Sequence, residues 1–226
     1  MVAHLTLFED VLSNGAAALL PSAARMIFVV HGALSVGAQS LVDGNAWQGE
    51  AAVALKGGEE TGAMIWRFDF TEEASTTVLV REGLRSSIKL AAPLLTLPEG
   101  ELLLRGDSVA FPPGGCAFTH VHQGPGLRCL IEGGIRIDSQ GRSTAYGPGG
   151  AWFESGPEPV FAQASADRSS RFIRVMILPR TLLGKSSIRY VNDADKDKPR
   201  SQSYKIFVDA PIDFPARGMT QATARS

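Results

Sequence analysis

Two histidines, His120 and His122, are the residues of this sequence whose type and spacing best suit chemistry. One residue separates them within an apolar stretch, and residues i and i+2 of a β-strand point to the same face of a sheet. Both imidazoles could therefore address one metal ion or one substrate from the inside of a barrel. A Gly-Pro-Gly turn follows at 124–126, which favours this interpretation over two unrelated surface histidines.

The elements that would position this pair are short apolar runs separated by turn residues. Runs rich in Val, Ile, Phe and Trp are typical of β-strands, and 24 glycines and 13 prolines favour frequent turns. The runs lie at 25–30, 33–36, 64–70, 76–80, 108–111, 135–137 and 171–178. Helical periodicity is weak, because Pro21 breaks the one candidate stretch. The pattern predicts a mainly β protein.

An internal repeat divides the chain into two halves. When the two copies are aligned, His31 falls on Glu132. Further along, Trp47 falls on Trp152, and the offset has grown from 101 to 105 residues, so the second copy is longer by four residues. Chance similarity is the alternative, but two anchors in the same order favour a duplicated β module of about a hundred residues.

The segment around the histidine pair resembles the first motif of the cupin family, G-x5-H-x-H-x3,4-E-x6-G. Gly114 stands at the first position, the histidine pair follows at the motif's spacing, and Gly133 matches the closing glycine. Residues 147–160 occupy the place of the second motif, G-x5-P-x-G-x2-H-x3-N. With the repeat, the resemblance implies a bicupin, which is an all-β fold of two tandem antiparallel jelly-roll β-barrels.

Two of the metal ligands that this family usually has are missing. Gly126 and Leu127 stand where the glutamate of the first motif would be, and Val160 stands where the second motif has its histidine. Two histidines alone hold a divalent metal poorly, because protein sites generally need three or more ligands. We expect Glu154 to be the third ligand of a site for Fe, Mn, Ni or Zn. The alternative is a solvated loop carboxylate.

Three further residues are candidates for contacting a substrate. Phe118 shares strand parity with the histidines and would add an apolar wall to their cavity. Gln123 and Gln163 could orient a substrate or a bound water, and the alternative is that both are surface or turn residues. Arg128 and Arg136 could pair with a carboxylate of the ligand, although a solvated arginine is the more common case.

The repeat predicts that only the second module carries the site. Leu19 and Pro21 take the places of the two histidines in the first module, and Gly49 takes that of Glu154. We therefore expect a degenerate barrel without metal ligands at 1–83, a crossing segment at 84–100, the barrel with the metal site at 101–180, an extended arm packing on the barrels at 181–212 and a disordered tail at 213–226. The strand-like part of the arm is expected to pair with the sheet edge of the first module or with another chain.

The overall composition excludes several function classes. Lys plus Arg number 22 and Asp plus Glu 23, a net charge of −1 that argues against a nucleic-acid binder. No apolar run approaches the length of about 18 residues that a membrane span needs, and the first ten residues lack the features of an export signal. We therefore interpret Cys116 and Cys129 as free thiols and the protein as cytoplasmic.

Three interpretations remain for such a barrel. The first is a metal-dependent enzyme acting on a small polar or carboxylated metabolite, of the oxygenase, isomerase or lyase type that the resemblance implies. The alternative is a non-catalytic bicupin that binds or senses a small molecule, and a purely structural protein is the third interpretation. The expected partner is a small-molecule ligand, with no nucleic acid and no membrane, and the chain is expected to be a monomer or homodimer.

Overall fold

The structure, a computed structural model, describes residues 2–75, 78–79 and 81–214. Apart from two short 3-10 turns, the regular elements of these residues are all antiparallel β-strands, which confirms the predicted all-β class. None of the described helical turns is long and apolar enough to cross a membrane. Two predicted segments fall outside the described residues, namely residues 76, 77 and 80 of the strand predicted at 76–80 and residues 215–226 of the predicted tail.

The first half of the chain forms one sheet of eight strands. These are β1 (Ala3–Leu12), β2 (Ala17–Leu20), β3 (Ala24–Val36), β4 (Gln39–Val42), β5 (Ala46–Gly49), β6 (Val53–Gly57), β7 (Ala63–Thr71) and β8 (Leu84–Leu94). Their order is β2-β6-β3-β7-β1-β8, and β4 and β5 both pair with the long strand β3. The sheet is thus organised around β3, whose two ends have different partners.

The second half forms two sheets of five strands each. Its strands are β9 (Leu102–Phe111), β10 (Cys116–His122), β11 (Gly126–Glu132), β12 (Ile135–Ser139), β13 (Arg142–Tyr146), β14 (Ala151–Glu154), β15 (Val160–Ala164), β16 (Ser170–Pro179), β17 (Ile188–Tyr190) and β18 (Ser203–Ile212). One sheet has the order β13-β12-β15-β10-β17 and the other β14-β11-β16-β9-β18. The predicted histidine strand and the predicted glutamate strand therefore belong to different sheets.

The largest apolar cluster joins the two halves of the chain. Along β7, Trp66, Phe68 and Phe70 point into this cluster. The alternate residues Arg67 and Asp69 point to the opposite face, as the two-residue period of a strand requires. Alternate residues of β11 and β16 complete the cluster from the second half. Both halves thus share one core, built from strands that are covered on both faces.

The other face of the first sheet encloses a paired network of charges. Arg25 Nε donates to Asp69 Oδ1 at 3.0 Å, and Arg67 Nε donates to Asp10 Oδ2 at 2.7 Å. Arg67 also contacts Asp69, so the network is continuous. All four side chains are at most 1% exposed, and such groups are tolerated inside a protein only when they are paired.

Two segments have different structures from those that the sequence predicts. The expected crossing segment at 84–100 contains β8, which pairs with β1 at the edge of the first sheet. Pro93 is tolerated there because an edge strand does not need every N–H for pairing. The expected arm supplies β17 and β18, which pair with β10 and β9 of the second half. Its predicted pairing with the sheet of the first half is therefore wrong.

The first two residues of the predicted disordered tail have defined contacts. The backbone N–H of Asp213 donates to Glu50 Oε2 at 3.1 Å. The ring of Phe214 lies 4.2 Å from the ring of Phe70, at the border of the shared core. The last described residues of the chain thus return to the first half.

Candidate functional site

The two histidines meet inside the second half, as the sequence predicts. They are 5% and 4% exposed, and the Nε2 atoms of His120 and His122 are 3.2 Å apart. His120 Nδ1 lies 2.7 Å from the carbonyl oxygen of Phe118. Because a carbonyl can only accept, Nδ1 carries the proton and the lone pair of Nε2 faces the interior. This tautomer makes His120 available as a ligand or an acceptor.

Both imidazoles are held in the neutral state. Burial lowers the pKa of His122 well below its ordinary value, and the positive charges of Arg128 and Arg174 lower this pKa further. The pKa of His120 is also lowered, again mainly by burial. Neutral imidazole is the form that binds a metal, so neither histidine has to lose a proton at neutral pH in order to act as a ligand.

Glu154 reaches the same interior from the facing sheet. It is the last residue of β14 and lies opposite Gly126 of β11. Its Oε2 is 3.4 Å from His122 Nε2, and Trp152 Nε1 donates to its Oε1 at 2.9 Å. The structure therefore brings together the three residues predicted as metal ligands, and Trp152 fixes one oxygen of the carboxylate.

Arg128, for which the sequence favoured a solvated position over a pairing with a ligand carboxylate, is a buried residue of the site. Instead of being solvated it is 1% exposed, its Nη1 donates to the Gly126 carbonyl at 2.6 Å and its Nη2 lies 2.7 Å from Glu154 Oε2. Burial lowers the pKa of the guanidinium to about 10, so that it remains charged at neutral pH. A Cβ at position 126 would overlap the Val175 carbonyl oxygen and lie 2.8 Å from Met176 Cγ, so the glycine is required mainly by the close pairing of β11 with β16.

A second buried ion pair continues the same row across the sheet. Arg174 lies opposite Arg128 on one side and opposite Asp107 on the other. Its Nε and Nη2 donate to the two oxygens of Asp107 at 2.9 and 2.6 Å. With both histidines neutral, the charges of Arg128 and Arg174 are balanced by those of Glu154 and Asp107. Arg174 is thus both buried and paired.

The donor set suits a metal ion, although it is not assembled as a metal site. Two donors about 2.1 Å from one ion lie about 3.0 Å apart in octahedral and about 3.4 Å apart in tetrahedral geometry, which brackets the 3.2 and 3.4 Å separations seen here. Glu154 Oε2 and Arg128 Nη2 are buried without a well-aligned hydrogen bond. Within the described part of the chain, no three His, Cys, Asp or Glu groups form a ready metal cluster. The cation that contacts Glu154 is Arg128.

The space that these side chains enclose is small. Its volume is about 20 Å³, whereas a single water needs about 10–15 Å³. Val109, Phe111, Trp152 and other apolar side chains close the rest of the interior. The cavity therefore admits one ion or one water, and an organic ligand has to approach it from an adjoining space.

The three residues predicted to contact a substrate do not line this cavity. A β-bulge between Ala117 and His120 shifts the strand parity, so Phe118 does not share the histidine face, and Lys198 Nζ lies 4.6 Å over its ring. Gln123 accepts a hydrogen bond from Arg189. Gln163 Nε2 donates to the Gly114 carbonyl at 2.7 Å on the outer face of β15.

Comparisons with known proteins identify the fold. The structure of an oxalate decarboxylase from Lactobacillus farciminis in complex with formate matches with a TM-score of 0.62 at 13% identity, covering 86% of this chain and 82% of that chain. A deletion mutant of the Bacillus subtilis oxalate decarboxylase matches with a TM-score of 0.59 at 14% identity, covering 86% and 73%. A further match is the same enzyme in a study of its Mn(II) centres, with a TM-score of 0.59 at 13% identity.

These matches show that the chain has the cupin jelly-roll fold. No model of a protein family and no curated protein sequence matches the chain. At such low identities a structural likeness carries no information about substrate or reaction, since one fold hosts many chemistries. Any functional conclusion must therefore come from the residues of the site.

Proposed function

We propose that this chain is a metal-dependent cupin enzyme acting on a small polar or carboxylated metabolite, with Fe, Mn, Ni or Zn bound by His120, His122 and Glu154. The observation that carries the proposal is the meeting of two neutral imidazoles and one carboxylate, at 3.2 and 3.4 Å, around a cavity of about 20 Å³. The Mn(II) centres of the structurally similar Bacillus subtilis enzyme are consistent with it.

The surrounding residues would prepare the ligands for such an ion. The Phe118 carbonyl fixes the ring orientation of His120, and Trp152 holds one oxygen of Glu154. A bound divalent ion would supply Lewis-acid or redox chemistry. Arg128 would exchange its contact with Glu154 for a negatively charged group of the substrate, because a buried guanidinium needs a counter-charge. The reaction would be of the oxygenase, isomerase or lyase type.

The proposal includes a duplicated chain in which the first barrel has no metal. Strand registers support the duplication, because Ile27 lies opposite Trp47 in the first half and Arg128 lies opposite Trp152 in the second. These are the positions that the sequence repeat aligns. In the same registers Gly49 stands at the place of Glu154. The first barrel would serve as a structural partner through the shared core.

One observation favours the alternative of a non-catalytic protein that binds or senses a small molecule. The guanidinium of Arg128 already supplies a positive charge to Glu154 at 2.7 Å. A barrel that keeps this ion pair would need no metal, and the histidines would hydrogen-bond a ligand directly. The two functions differ in one measurable property, which is the metal content of the purified protein.

Elemental analysis of untagged protein is the test that separates them. We expect about one transition metal per chain, lost in the His120→Ala/His122→Ala variant and reduced in Glu154→Gln. His31→Ala is the matched control, because His31 is an exposed histidine of the first half and its loss should leave the metal content unchanged. A site that stays empty after reconstitution with Fe(II), Mn, Ni and Zn would reject the enzyme proposal in favour of the binding protein.

We further propose a cytoplasmic protein that is a monomer or homodimer. The location is supported by Cys116 and Cys129, which both lie as free thiols. The monomer is supported by the shared core, in which the two halves already cover each other's sheets. Light scattering at several concentrations measures the oligomeric state, and any state above a dimer would contradict this part of the proposal.

A further inference from the structure

A larger pocket adjoins the cavity of the histidine pair. Its volume is about 240 Å³, and it lies between β17 on one side and β9, β16 and β18 on the other. Arg174, Ile188 and Tyr204 line both the pocket and the small cavity, so they form the wall between them. Ser187, also on the pocket lining, contacts His122 Nδ1 at 3.4 Å. The pocket thus reaches the site from the side of the arm.

The lining of this pocket has an excess of positive charge. It contains Arg105, Arg174, Lys185 and Arg200 but only one carboxylate, Asp107. Pairs within the protein use up part of this excess, since Arg105 Nε donates to the nearby Asp209 at 2.8 Å and Arg174 is paired with Asp107. Lys185 and Arg200 make no ion pair with any described residue. An anion entering the pocket would therefore meet cations that the protein has not neutralised.

Arg174 lines the pocket and keeps one donor that no described residue uses. Asp107 accepts from its Nε and Nη2, whereas its Nη1 has no partner in the described part of the chain. The side chain is 5% exposed, and its position is fixed by the bidentate pair. A guanidinium held in this way presents Nη1 without further loss of side-chain entropy, which favours binding of a carboxylate oxygen.

Beside two serines and a glycine, the uncharged part of the lining is apolar or aromatic. Ile188, Ile206, Tyr190 and Tyr204 provide this surface, and the Arg200 guanidinium lies 5.8 Å from the Tyr190 ring. A small inorganic anion would leave these side chains without a contact. An organic acid with an apolar body uses both parts of the lining, because its carboxylate pairs with the cations and its carbon atoms cover the aromatic wall.

We infer that this pocket binds a small organic carboxylate with an apolar body, held by Arg200 and Arg174. The inference deepens the proposed function and rests on it for the role of the bound acid as substrate. The binding site itself uses none of the three metal ligands. An acid in the pocket would be separated from the histidine cavity by the wall of Arg174, Ile188 and Tyr204, and movement of Tyr204 and Ile188 would join the two spaces.

Calorimetric titration with benzoate tests this inference, and benzamide is the uncharged probe of the same shape. We expect benzoate to bind about tenfold or more tightly than benzamide, since the difference is a charge-assisted contact. Arg200→Gln should weaken benzoate binding by about fivefold or more. Arg180→Gln is the matched control, because Arg180 is an exposed arginine that pairs with Glu101 away from this pocket.

Three titrations with benzoate separate this inference from the metal proposal. They use the protein as purified, the same protein after EDTA treatment, and the His120→Ala/His122→Ala variant. Benzoate binding that persists in all three supports the pocket even where no metal is found. Absence of benzoate binding up to about 10 mM, equal binding of benzamide, or an unchanged affinity in Arg200→Gln would overturn the inference. None of these three results would bear on the metal content.

Discussion

Nη2 of Arg128 lies 2.7 Å from Oε2 of Glu154, the same oxygen that is 3.4 Å from His122 Nε2. One carboxylate oxygen thus faces both a permanent cation of the chain and a neutral imidazole. Arg128 is 1% exposed and the Glu154 side chain 11% exposed, so water screens this pair poorly. If Glu154 binds an ion held by the histidines, the buried guanidinium of Arg128 needs another negative charge. The stability of the barrel therefore depends on whether its site is occupied.

Arg128→Met should strongly destabilise the metal-free protein. The substitution leaves the carboxylate of Glu154 buried without its cation, and breaking a buried ion pair from one side costs about 3–5 kcal/mol. Urea unfolding in EDTA measures the loss of unfolding free energy. Added Mn or Zn should restore part of this free energy, since an ion on the histidine pair gives Glu154 a new counter-charge.

Arg128→Met/Glu154→Gln provides the control for this prediction. Removing both charges should cost less than Arg128→Met alone, because no uncompensated charge remains in the interior. If the double variant were as unstable as the sum of the single variants, the ion pair would contribute nothing beyond packing. If metal failed to stabilise Arg128→Met, Glu154 would not be a ligand.

Acidification should destabilise the metal-free protein through its buried histidines. Burial lowers the pKa of His120 and lowers that of His122 further. Below about pH 6.5 the unfolded chain takes up protons at these positions while the folded chain does not, so the free energy of unfolding falls as the pH falls. The loss approaches about 1.4 kcal/mol per pH unit for each histidine until its folded-state pKa is reached.

The measurement is a series of urea midpoints in EDTA between about pH 7.5 and 5.5, the range around the ordinary histidine pKa. His120→Gln/His122→Gln should flatten this dependence, whereas His31→Gln, at an exposed position, should leave it unchanged. An equal slope in wild type and in the double variant would contradict the assignment of neutral, buried imidazoles.

The sequence was sufficient for the parts of the site that depend on local spacing. His120 and His122 share a face because one residue separates them, and the resemblance placed Glu154 beside them. The position of Phe118 could not be predicted in this way, since the bulge between Ala117 and His120 changes the strand parity without a sequence signal. The burial of Arg128 could be predicted only by knowing that both faces of β11 are covered. Its neighbours in sequence, Leu127 and Cys129, face the shared core between the two halves. Arg128 therefore points to the opposite side of β11, toward the cavity of the histidine pair.

The two thiols should differ sharply in their reaction with a water-soluble disulfide reagent such as DTNB. Cys129 is fully buried in the shared core, and burial raises its pKa to about 12, so that almost no thiolate forms at neutral pH. Cys116 is half-buried at the start of β10. The native protein should therefore release at most one equivalent of chromophore, and urea should release the second. Cys116→Ser should abolish the native reaction, and rapid labelling of both thiols in the native state would contradict the shared core.

Gly106→Ala should destabilise the packing between the two halves. A Cβ on Gly106 of β9 would lie 2.0 Å from Sδ of Met26, a residue of β3 that is 0% exposed. Because both residues are buried in the tightly packed region between the sheets, we expect a loss of about 1–3 kcal/mol of unfolding free energy, as for other overpacked cores. Chemical denaturation of the full chain measures it.

Met26→Ala/Gly106→Ala distinguishes this contact from a general sensitivity of β9. Met26→Ala alone removes buried contacts and should cost about 2–5 kcal/mol. In the double variant the new methyl group occupies part of the space that Met26 leaves, so the combined cost should be smaller than the sum of the two. Gly147→Ala is the control, because nothing lies within 4 Å of a Cβ there, and the change should stay within about 0.5 kcal/mol. Strict additivity in the double variant would show that β9 and β3 do not meet at these two residues.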